Sequence, residues 1–152
     1  MSTCQRVLRG GGRRNAWTTA RPIQDYLPQV AAYRPCIVFI HIGENDLVCN
    51  ITWELMQFVN ELIPHCSTLI VGQLLCFPNN RPRHDHAVNL INSYLRQDVP
   101  RPHVFWRHQC ALSQAGLYFD RVHLTNYGMY QYWQCLRTVV GRELRRYRPV
   151  CQ

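Results

Sequence analysis

Two short polar clusters hold the residue types with which this chain could do chemistry. The first is Gly43-Glu44-Asn45-Asp46, directly after the apolar run Cys36-Ile37-Val38-Phe39-Ile40-His41-Ile42. The second is Asp120-Arg121-Val122-His123-Leu124, just before a helix-forming segment. The apolar run is unbroken rather than alternating, so it reads as a strand covered on both faces, as in a parallel sheet. Polar groups just past the carboxyl end of such a strand lie where open α/β sheets bind ligands. Each cluster also has a plainer use. Asn45 and Asp46 could cap the next helix, a task Asn50 could share, and Asp120 with His123 could close an ordinary turn.

The segments between the clusters must position them. Pro22 suits the first turn of a helix over roughly Ile23 to Tyr33, with Ile23, Tyr26, Leu27 and Val30 on one face. Pro28 should weaken or kink it, and Arg34-Pro35 should end it. Ile51, Leu55, Phe58, Val59 and Leu62 recur at helical spacing, closed by Pro64. Thr68 to Leu75 reads as a second buried strand, and Phe77 to His86 as a loop at its carboxyl end. Val88, Ile91, Tyr94 and Leu95 mark a further helix, and His103 to Trp106 a third strand. Thr125 caps a long last helix whose expected core stripe is Met129, Tyr132, Trp133, Leu136, Val140 and Leu144. Alternation of this kind predicts an α/β fold, a three-layer αβα arrangement around a parallel sheet.

A chain of 152 residues reads as a single domain, 1–152, long enough to bury a core. No apolar run approaches the roughly 18–20 residues that span a bilayer, and Met1 to Arg14 has no apolar stretch of the signal-peptide kind. The expectation is an intracellular, cytoplasmic protein. The net charge of +8 rests on 17 basic residues, all arginine. Arginine favours carboxylate and phosphate, which makes nucleic acid a possible partner; the plainer reading is a solvated surface. The dense cluster Arg142, Arg145, Arg146 and Arg148 ends the last helix, where cations offset the macrodipole. The eight cysteines include no C-x-x-C pair and read as reduced, packed thiols. His41 reads as a strand residue and His65 as a helix terminus. His84, His86, His103 and His108 read as solvated, with no metal and no cofactor expected.

Ile42-Gly43-Glu44-Asn45-Asp46 resembles the G-x-N-D block of the SGNH (GDSL) hydrolases, and Asp120-Arg121-Val122-His123-Leu124 with Gly128 resembles their D-x-V-H-L block with its downstream glycine. The order of the blocks and the two strand–helix units between them agree with that family, over roughly Gly10 to Arg148. The resemblance implies a flavodoxin-like αβα fold and a serine esterase or acyl hydrolase acting on a small ester or acyl substrate. It implies that His123 is the general base, Asp120 orients it and Asn45 donates to the oxyanion. A second oxyanion donor would come from the glycine turn between Gly10 and Asn15, with Gly12 the choice. Gly43, Glu44 and Asp46 would line the substrate.

The family's nucleophile sits in a G-D-S turn after a first strand, and this sequence has no such turn. Ser2, Ser67, Ser93 and Ser113 have no strand-turn chemistry before them. The chain therefore reads as a domain incomplete at its N-terminus, its first strand missing, and inactive as written. The alternatives are a non-catalytic binding module and a nucleic-acid-associated protein encoded by a mobile element.

Overall fold

The computed structural model describes residues 20–42, 52–76, 82–108, 114–120 and 123–147. Gly12 and the cluster Gly43, Glu44, Asn45 and Asp46 lie outside the described residues, as do Ser2 and Ser113. The elements are α1 (Ala20–Tyr33), β1 (Ile37–Ile40), α2 (Thr52–Leu62), β2 (Thr68–Gly72), α3 (Pro82–Asp98), β3 (Val104–Trp106) and α4 (Asn126–Arg146). Short 3-10 turns at Ile63–His65 and Ala115–Leu117 complete the described structure. The helix α1 runs through Pro28, whose position is exposed, so the carbonyl that loses its partner can be hydrated. It ends where Arg34 turns to a φ of 43° and donates its N–H to the Val30 carbonyl at 3.0 Å.

The strands form a parallel sheet in the order β1-β2-β3, with Ile37 opposite Thr68 and Ile70 opposite Val104. Every residue of β2 is buried, as expected for a strand with neighbours on both edges and helices on both faces. Alternate side chains divide the core. Val38, Ile40, Leu69, Val71 and Phe105 pack with α1, α2 and α3, around Leu55, Phe58, Val59, Leu62, Val88 and Leu95. Ile37, Phe39, Ile70, Val104 and Trp106 pack on the other face with α4, through Tyr132, Cys135, Leu136 and Val139. The strands are shorter than expected: β1 stops at Ile40 and β2 at Gly72.

The helix α4 runs antiparallel to the strands. Tyr147, at its end, bonds through its hydroxyl to Thr68 Oγ1 at 3.1 Å, beside the start of β2, while Tyr132 meets His41 just past the end of β1. The start of α4 is therefore at the carboxyl rim. Tyr132, Leu136 and Val140 of the expected stripe pack on the sheet, and its other three members do not. Gly128, Leu136, Val139 and Glu143 are buried, whereas Met129, Trp133 and Leu144 are 48, 46 and 53% exposed. The helix is apolar on more than one side, so hydrophobicity alone does not choose. Close approach at Gly128 and the fit of Cys135 and Val139 against Ile70 and Trp106 make the choice.

Two polar side chains, buried Asn92 and half-buried His103, complete backbone hydrogen bonding around β2. Asn92 on α3 accepts from Leu74 N–H at 2.9 Å and donates to the Leu74 carbonyl at 3.0 Å, completing the backbone bonding of the segment after β2. Asn92→Ala leaves both groups unpaired and should cost about 2–3 kcal/mol, read as a shifted urea midpoint.

His103, expected to be solvated, instead accepts the Leu69 N–H through Nδ1 at 3.0 Å. Burial lowers its pKa from the ordinary value, and a proton on Nδ1 would also set two donors face to face. The unfolded chain then binds more protons than the folded one between the lowered and ordinary values, so stability falls as pH drops through that window. His103→Gln keeps an acceptor without a titration. Its melting temperature should vary less with pH below the ordinary histidine range than that of the parent chain.

Candidate functional site

The second polar cluster is built as a closed turn in front of α4. Tyr118 bridges Leu124 antiparallel, and Phe119 N–H donates to the His123 carbonyl at 3.1 Å. Inside that turn the Asp120 carboxylate takes two donors, the His123 backbone N–H on Oδ1 and the His123 ring Nδ1 on Oδ2, each at 2.6 Å. An ionised carboxylate can only accept, so the proton of the neutral ring resides on Nδ1 and the lone pair on Nε2. The His123 side chain is 69% exposed and that of Asp120 42% exposed. Phe119 stacks on the His123 ring with centroids 5.7 Å apart and planes 19° from parallel. Chemically this is an oriented imidazole whose Nε2 can accept a proton from a group brought to it.

The turn is held against α4 by close backbone packing. Thr125 N–H donates to the Leu117 carbonyl at 2.7 Å, and Thr125 Oγ1 caps α4 by accepting from Gly128 N–H at 3.0 Å. A Cβ on Gly128 would strike the Leu117 carbonyl oxygen and press on Leu124. The helix reaches the turn only because position 128 has no side chain. Gly128→Ala should therefore destabilise the fold by roughly 1–3 kcal/mol and displace the Asp120–His123 pair, visible as altered ring-proton shifts of His123 by NMR.

A second group of side chains at the same rim was not anticipated. His41 and His108, read as a strand residue and a solvated residue, face each other with ring centroids 5.3 Å apart just past β1 and β3. His41 Nδ1 lies 2.8 Å from the Tyr132 hydroxyl, and the two rings stack at 5.6 Å. His108 Nε2 donates to the Gln73 carbonyl at 2.9 Å and meets the Trp106 ring edge-on at 4.3 Å. Gly72 leaves room for this, since a Cβ there would lie 3.2 Å from His41. Tyr132 also packs with Leu117, Tyr118 and Leu124, so one aromatic side chain braces both the ring cluster and the turn that carries His123. The sequence signal was a histidine within two residues of the end of β1 and of β3, at the rim where ligands are bound.

The remaining candidates divide clearly. Asp120 and His123 are brought together; Asn45, Gly12, Gly43, Glu44 and Asp46 lie outside the described residues. Ser67 stands at the amino end of β2, away from the rim that begins α4, and Ser93 donates its hydroxyl to the Leu90 carbonyl within α3. Burial pushes the Cys66 thiol up to about 11 and also raises that of Cys76, helped by the Asp85 carboxylate. Both stay protonated at neutral pH, the opposite of an activated nucleophile. His84 and His86 fall two positions apart on α3 and do not share a face. No cluster of three or more histidine, cysteine or carboxylate side chains fit to hold a metal occurs among the described residues. No helix among them is long and apolar enough to cross a membrane.

Comparison with known proteins gives no match, whether against family models, curated proteins or solved structures.

Proposed function

We propose that this domain is related to the SGNH-type ester hydrolases and carries the base half of their site. The observation that supports the reading is the pair of hydrogen bonds that the backbone N–H and ring Nδ1 of His123 donate to the Asp120 carboxylate, just before the helix that follows the last parallel strand. In this role His123 Nε2 takes the proton of a serine hydroxyl as its oxygen bonds to the acyl carbon. Asp120 keeps Nδ1 protonated and steadies the imidazolium. The proton then passes to the departing alkoxide, and water repeats the sequence on the acyl-enzyme. Asn45 would donate to the oxyanion, with Gly12 as the second donor and Gly43, Glu44 and Asp46 beside the substrate. The αβα layering, the sheet order and the free outer edge of β1 among the described residues accord with a fold of that type in which a further strand bears the serine.

Neither described serine stands near His123, so residues 1–152 alone are expected to bind rather than to turn over. The chain should hydrolyse p-nitrophenyl acetate no faster than free imidazole does. A form extended upstream to include a serine turn should be active, and His123→Ala should lower its kcat by roughly 10³–10⁴-fold. Turnover by the extended form that is indifferent to His123→Ala defeats the assignment.

A further inference from the structure

We propose that the outward face of α4 docks on an anionic lipid surface. Six of the nine large apolar side chains exposed among the described residues belong to α4 or to the turn before it: Phe119, Tyr127, Met129, Tyr130, Trp133 and Leu144. At 100° per residue, Met129, Trp133, Leu144 and Tyr130 fall within one arc of about 100°, which borders the arc of Gly128, Val139, Glu143 and Leu136, the residues buried in the core. Half-buried Val140 continues that stripe, and exposed Arg137 stands in its middle. With 21 residues, α4 is about 30 Å long, so the stripe starts beside His123 and extends along the domain.

Charge decides between the possible occupants. The single acidic residue of α4, Glu143, is 1% exposed and is bonded by Arg142 Nε at 2.9 Å and Arg146 Nη1 at 2.7 Å. The exposed surface of the helix itself therefore presents arginine and no carboxylate, and the one carboxylate of the turn beside Phe119, Asp120, is paired with His123. A complementary partner is apolar at its centre and anionic at its border. A second copy of the same face would set Arg137 and Arg145 against themselves, a like-charge contact that opposes pairing. A nucleic acid would match the arginines and the aromatic rings but leave Met129 and Leu144 without a counterpart. Tryptophan and tyrosine settle at headgroup depth, aliphatic tips reach the acyl boundary, and arginines meet anionic headgroups. The inference does not depend on the hydrolase reading, because it concerns adsorption and not turnover.

The test is flotation of the full chain with vesicles of phosphatidylcholine alone, and of phosphatidylcholine and phosphatidylglycerol in equal parts. The expected result is flotation with the phosphatidylglycerol vesicles, weakened by salt, and none with phosphatidylcholine alone. Bromine-labelled acyl chains should quench tryptophan emission of the parent chain, and Trp133→Phe should remove most of the quenching. Arg137→Glu should weaken binding at least about fivefold. Leu144→Asp should weaken it comparably, and Tyr94→Ala on α3 should leave it unchanged. The proposal is overturned by any of the following: no flotation with phosphatidylglycerol, flotation indifferent to Arg137→Glu and Leu144→Asp, or a concentration-dependent dimer that Leu144→Asp dissolves. Single-stranded RNA that displaces the protein from vesicles without Trp133 quenching ever being seen likewise overturns it.

Discussion

The complete burial of β2 is the constraint on which the rest of the structure depends. A strand with no exposed residue must have a paired neighbour on each edge and a helical layer on each face. Its side chains alternate between Leu69 and Val71 on one side and Ile70 on the other, which sorts α1 to α3 from α4. Because the strands are parallel, every chain exit falls on one rim. His41, Gln73 and His108 are gathered there from segments far apart in the chain. The return of α4 against the strand direction then brings the Asp120–His123 turn to that rim as well.

Order at the rim comes from packing and not from charge. Tyr132 touches His41, His108 and Trp106 on one side and belongs to the small core of Leu117 and Tyr118 on the other. Gly72 and Gly128 matter for what they lack, since each admits a ring or a backbone oxygen where a methyl group would stand. The Asp120–His123 pair is itself exposed, so its mutual attraction in water is weak and its alignment comes from the turn that holds it.

The last helix shows how far an apolar pattern can be read. Tyr132, Leu136 and Val140 pack on the sheet as their spacing suggests, yet Met129, Trp133 and Leu144 stay exposed while Cys135 and Val139 pack and Glu143 is buried. A buried glutamate is the least expected member. Its carboxylate is tolerated because Arg142, one residue before it, and Arg146, three residues after it, both donate to it. The arginines that end α4 therefore do more than offset a helix dipole.

The sequence by itself determined the alternation of helices and strands, the parallel character of the sheet, the Thr125 cap and the pairing of Asp120 with His123. These rest on local rules: unbroken β-rich runs, 3.6-residue spacing, a hydroxyl before a helix, and a carboxylate within one turn of an imidazole. Only the tertiary structure decided which side of α4 is core, that His103 serves a backbone N–H, and that His41, His108 and Tyr132 meet. Those outcomes depend on contacts between residues distant in the chain. Their energies come from shape and from satisfied buried bonds, quantities that periodicity does not encode.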